Sequence, residues 1–132
     1  ERFSQRMGEG RIPDSAISAS SSYEVKSVGP QNARIRQELN GGAWCPKAQI
    51  SSEIREFLEV DLLKNHLVTW TETQGRFGNG QGQEYTEAYL VEYWRDSLSE
   101  WGRVAFQTLP YLHPHLTRLN LWDHKMQGYD KN

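Results

Sequence analysis

Few of the side chains able to do chemistry stand where they could cooperate. Cys45 is the single thiol and lies beside Pro46. No histidine is near it in sequence to activate a nucleophile. His66, His113, His115 and His124 show no spacing of a zinc site, and His113-Pro114-His115 sets two rings too close together. Glu53, Glu56 and Glu59 recur at helical spacing, which is the pattern of a solvated face ahead of a strand. Gly78, Gly80 and Gly82 match no nucleotide loop and open no helix. The chain is therefore expected to be no enzyme and to use no metal or cofactor. Residues 75–84 carry Arg76 and Glu84 on either side of a glycine-rich run that only a loop tolerates.

Side chains on loops need a scaffold, and the apolar pattern supplies one. Leu58, Val60 and Leu62 alternate with Glu59 and Asp61, as in a half-buried strand. Leu67 to Thr71, β-branched and aromatic, makes a second strand. Alternation is clearest from Tyr85 to Tyr93, with Tyr85, Tyr89, Val91 and Tyr93 inward and Glu84, Thr86, Glu92 and Trp94 outward. Asp96 to Ser99 reads as a turn before Trp101. Residues 1–22 are expected to be irregular, because the Ser-rich run from Ser15 to Ser22 has neither helical nor strand periodicity. Residues 23–42, broken by Gly29-Pro30 and Asn40-Gly41-Gly42, are expected to form loops. Four glycines within residues 75–82 mark another. Short strands between glycine-rich loops point to an all-β sandwich or barrel.

Composition bounds the partners. A chain of 132 residues is one domain by size. A net charge of −2 and a pI near 6.1 offer no basic field for nucleic acid. With 36% hydrophobic residues and a mean hydropathy of −0.78, the chain is polar yet able to build one core. No apolar run approaches bilayer-spanning length, and residues 1–15 contain no secretory signal. Five Trp, six Tyr and four Phe suit a β-rich core and a recognition surface equally.

Six short motifs recur in order along the chain. They are Gly10-Arg11-Ile12-Pro13-Asp14, Ile17-Ser18-Ala19-Ser20-Ser21, Gly42-Ala43-Trp44-Cys45-Pro46, Glu56 to Leu62, Thr73-Gln74-Gly75-Arg76, and Tyr89 to Tyr93 followed by Trp101. This order resembles the discoidin (coagulation factor 5/8 type C) domain, most closely the collagen-binding domain of the discoidin domain receptor tyrosine kinases. The resemblance covers residues 7–101. It implies a jelly-roll β-sandwich or barrel incomplete at its C-terminal end, with residues 102–132 an unmatched tail. Within that tail Leu116 to Leu121 is one further strand candidate, expected to be loosely attached.

The resemblance also implies a function. The chain would be an extracellular or cell-surface recognition module that binds fibrillar collagen through loops at one end of the barrel. It would come from a receptor-type protein that acts as a dimer, and any kinase would lie outside this chain. Tyr23 stands where the receptors carry an exposed Trp. Arg76 and Glu84 match the ion pair that lines their binding trench, with Phe77 beside it. Asn40 and Gly41 occupy the place of an acidic residue that faces collagen, so a charge is missing there. Trp44 is expected in the core. Cys45 matches a disulfide cysteine whose partner is absent here, so it is expected to be a free thiol. A glycan or an anionic phospholipid surface is the alternative ligand, the latter disfavoured because only Lys26 and Arg76 supply charge among the loop tips. A truncated splice or gene-model fragment is the third reading.

Overall fold

The computed structural model describes residues 12–51, 53–66, 71–76, 84–86, 89–95, 99–103, 116–121 and 127–128. Its strands are β1 (Ile17–Ala19), β2 (Glu56–Asp61), β3 (Glu84–Tyr85), β4 (Tyr89–Arg95), β5 (Glu100–Arg103), β6 (Leu116–Leu121) and β7 (Gln127–Gly128). One helical turn, α1 (Val25–Val28), and two 3-10 turns, Asp14–Ala16 and Pro30–Asn32, complete the described elements. The architecture is all-β. A five-stranded antiparallel sheet runs β1-β2-β6-β4-β5, and β3 pairs separately with β7.

The alternation in β2 has the register expected of it, burying Leu58 and Val60. The third inward position, Glu56, is also buried. That corrects the expectation of a solvated glutamate face. Ser20 Oγ donates to its Oε2, and Ser21 Oγ donates to Oε1 at 2.9 Å. The same two hydroxyls accept the backbone N–H groups of Phe57 and Lys47, each at 2.9 Å. A buried carboxylate is tolerable when its lone pairs are satisfied in this way.

The N-terminal segment needs a second correction. Ile17–Ala19 is not irregular but an edge strand, paired through Ile17↔Val60 and Ala19↔Leu58. Three residues are too few to display a period. Their burial of Ile17 against Leu58, Val60, Ile12 and Ala16 is what holds them. Trp44 packs against this cluster, as expected, and its indole N–H donates to Ser21 O at 2.8 Å. The loop expected over residues 23–42 likewise contains α1, whose first N–H groups at Lys26 and Ser27 are capped by the Glu24 carboxylate. The strand expected from Leu67 lies outside the described residues, Thr71 excepted.

In the tail, Leu116–Leu121 is a strand with the bounds expected of it, and it stands between β2 and β4 as the middle strand of the described sheet. It is in register from Glu56↔Leu121 to Asp61↔Leu116 on one side and from Tyr89↔Leu121 to Tyr93↔Thr117 on the other. This register also fixes the two ends of the sheet. β1 and β6 finish, and β2 and β4 begin, at the same end. The loops that leave β1 and lead into β4 therefore emerge together.

Candidate recognition site

Three segments meet at that end: backbone hydrogen bonds tie residues 23–28 to 41–45, and the Arg76 segment closes on β3 and reaches Gly41 through its side chain. The Tyr23 N–H donates to Cys45 O at 2.9 Å, and the Cys45 N–H donates to Val28 O at 3.0 Å. The Gly41 N–H donates to Ser27 O at 2.9 Å, and the Arg76 N–H donates to Glu84 O at 2.7 Å. Glycine is needed at two of these crossings. A Cβ on Gly41 would lie 2.5 Å from Val28 Cγ1 and 2.8 Å from Ser27 O. One on Gly75 would lie 2.8 Å from Tyr85 Cβ. In each case the chain passes too close to its neighbour for any side chain.

The charges sit on this frame. Arg76 Nη1 is 3.3 Å from Glu84 Oε2, so the two residues do form the ion pair that the resemblance implies. Arg76 Nε donates to Gly41 O at 2.9 Å. Both side chains remain part-exposed, at 25% and 35%. The guanidinium is thus held from two sides while the side chain stays part-exposed. An exposed ion pair between mobile side chains contributes little to stability, about 0–1 kcal/mol. The additional carbonyl contact is what gives this one a defined direction.

Tyr23 is 77% exposed and presents its ring to solvent. Val25 and Leu39, at 63% and 68%, are exposed apolar residues on the same group of loops. Asn40 is exposed in left-handed backbone, with φ of 54°, and Gly41 is buried beneath Arg76. Phe77 lies outside the described residues. A second pair was not anticipated from sequence. Arg36 Nη2 bonds Glu72 Oε1, and the Arg36 N–H donates to Gln74 Oε1 at 2.8 Å. The partners are separated by 36 residues or more, so no local spacing could have joined them.

Cys45 is a free, half-buried thiol close enough to feel both charges. Burial raises its pKa above the usual thiol value, Arg76 acts to lower it and Glu84 to raise it further. The thiolate is the reactive form, so native alkylation by iodoacetamide should be slow near neutrality and speed up as pH rises. Glu84→Gln, which removes the repelling charge at constant shape, should accelerate it. Mass-spectrometric labelling rates would check this, and slower labelling of Glu84→Gln would contradict the geometry.

Among the described residues, no group of three or more His, Cys, Asp or Glu is placed to hold a metal ion, and no helix is long and apolar enough to cross a membrane. The family model for the F5/8 type C domain matches residues 16–115, running past Trp101. The chain is 52% identical over 102 residues to discoidin domain-containing receptor A of Caenorhabditis elegans, covering 77% of this chain and 13% of that one. It is 48% identical over 96 residues to discoidin domain-containing receptor tyrosine kinase B of the same organism, covering 73% and 12%. Against human epithelial discoidin domain-containing receptor 1 the identity is 40% over 95 residues, covering 72% and 10%. The chain therefore spans about an eighth or less of the length of these relatives. With an all-β frame, loops gathered at one end and a match over most of its length, the chain belongs to the F5/8 type C (discoidin) family of β-sandwich, non-catalytic binding modules.

Proposed function

We propose that this chain is the collagen-binding module of an extracellular or cell-surface protein of receptor type, and that fibrillar collagen docks on the loop surface around Arg76. The observation that carries this reading is the Arg76–Glu84 pair at 3.3 Å, braced by Gly41 O and neighboured on the adjoining loops by the exposed Tyr23. A triple helix presents backbone carbonyls and apolar side chains along a rod. A part-exposed arginine fork suits the former, and a flat aromatic ring suits the latter with little ordering entropy. The relatives at 40–52% identity are discoidin domain receptors, which supports a receptor-type setting.

Solid-phase binding tests the ligand directly. The chain should bind immobilised fibrillar collagen saturably and ignore both phosphatidylserine vesicles and immobilised glycans. Binding to vesicles or glycans without collagen would replace this reading with one of the alternatives. Within it, Tyr23→Ala should weaken collagen binding about fivefold, as expected for an aromatic anchor. Its melting temperature should not change, because a side chain this exposed packs against little. Tyr23→Trp should strengthen binding by enlarging the apolar face. A clear fall in melting temperature for Tyr23→Ala would place the ring inside the fold.

A further inference from the structure

We infer that Asn32, a buried side chain distant from Arg76 in sequence, is the positioning residue that aims Arg76 at its ligand. The inference rests on the assignment of Arg76 to the ligand surface and adds a residue that makes no contact there. Asn32 is 9% exposed. Its Nδ2 donates to Ser27 O at 3.0 Å and to Lys26 O at 3.2 Å. Its Oδ1 accepts from Asn40 Nδ2 at 3.0 Å. One carboxamide therefore ties the end of the α1 turn to the loop that carries Gly41.

The connection onward to Arg76 is short. Ser27 O, already held by Asn32, accepts the Gly41 N–H at 2.9 Å. The carbonyl of that same Gly41 accepts Arg76 Nε at 2.9 Å. Asn40 sits at φ of 54°, a left-handed conformation that asparagine adopts more readily than most residues, and its bond to Asn32 helps to hold it there. Without Asn32 both ties go at once: Ser27 O loses one of the two donors that meet it and Asn40 loses its acceptor, so the Gly41 carbonyl is no longer fixed where it meets Arg76 Nε. Among the described contacts the guanidinium would then keep the 3.3 Å pair with Glu84.

The test reads Arg76 itself as well as binding. In the full chain, Asn32→Ala should speed solvent exchange of the Arg76 Nε–H resonance and weaken binding to immobilised fibrillar collagen about fivefold, within the coupling range of residues sharing one network. Asn40→Gly removes the amide but tolerates the left-handed backbone. It should leave the Arg76 resonance closer to wild type than Asn32→Ala does, since the Asn32–Ser27–Gly41 link survives. If Asn32→Ala does not fold, Asn32→Ser, which keeps one short donor near Ser27 O, is read by the same two signals. An unchanged Arg76 resonance or unchanged affinity in the folded variant overturns the inference. If Arg76→Ala itself leaves affinity unchanged, the ligand-surface assignment fails instead. A shifted Arg76 resonance would then mark Asn32 as an element of loop structure with no part in recognition, and that also overturns the inference.

Discussion

Replacing Arg76 by alanine is expected to weaken binding to fibrillar collagen at least tenfold, about 1.4 kcal/mol, while leaving the fold intact. The fold is spared because the backbone bond from the Arg76 N–H to Glu84 O, which joins the loop to β3, needs no side chain. Binding is not spared, for two reasons that add. The ligand loses a directed fork, and Glu84 and the Gly41 carbonyl lose their shared partner in a part-buried setting. A polar group stripped of its partner costs more than the mean value of the bond it made. Glu84→Gln should be comparably harmful, because it keeps the shape and removes the charge that orients Arg76. Solid-phase affinity and thermal unfolding of both variants would check this together. Wild-type affinity in both would remove Arg76 and Glu84 from the binding surface.

How far this site could be foreseen depended on where each partner lay along the chain. β2 and β4 were legible because six or seven residues are enough to show alternation of apolar and polar side chains. β1 was not, since a three-residue edge strand carries no period and is fixed by what Ile17 packs against. Glu56 was misread for a related reason. Its spacing from Glu53 and Glu59 fits a helical face, yet position 56 also shares the inward side of the strand with Leu58 and Val60. Only the two serine hydroxyls arriving from Ser20 and Ser21 decide between the two patterns. The pairing of Arg76 with Glu84, eight residues on, was anticipated from the resemblance, whose receptors carry an ion pair at that spacing. The supports beneath them could not be. Asn32 and Gly41 act through backbone carbonyls, which have no signature in sequence, and Arg36 finds Glu72 only after the chain has folded.

A proline at Leu119 is expected to have a large effect on stability. Leu119 stands opposite Leu58 of β2 and Val91 of β4, at the middle of the middle strand. Proline cannot donate to the ladder and is confined to edges and bulges, so there it breaks pairing and displaces backbone toward both neighbours. The expected cost lies beyond the range of ordinary substitutions, at about 3 kcal/mol or more. Against a total stability of roughly 5–15 kcal/mol, that means a fall in melting temperature on the order of 10 °C or outright unfolding. The consequence follows from connectivity. Among the described strands, β6 joins the β1–β2 pair to the β4–β5 pair, so losing it divides that sheet in two and exposes two new edges. Those halves carry the loops of the recognition surface, Tyr23 after β1 and Glu84 ahead of β4, so collagen binding should disappear with the fold. Native-state hydrogen exchange gives a test that needs no mutation. Amides of Leu116–Leu121 should be protected as strongly as those of Tyr89–Arg95, and more strongly than those of the edge strand Ile17–Ala19. Rapid exchange across Leu116–Leu121, or a Leu119→Pro chain that melts within a degree or two of wild type, would show that the two halves hold together without β6.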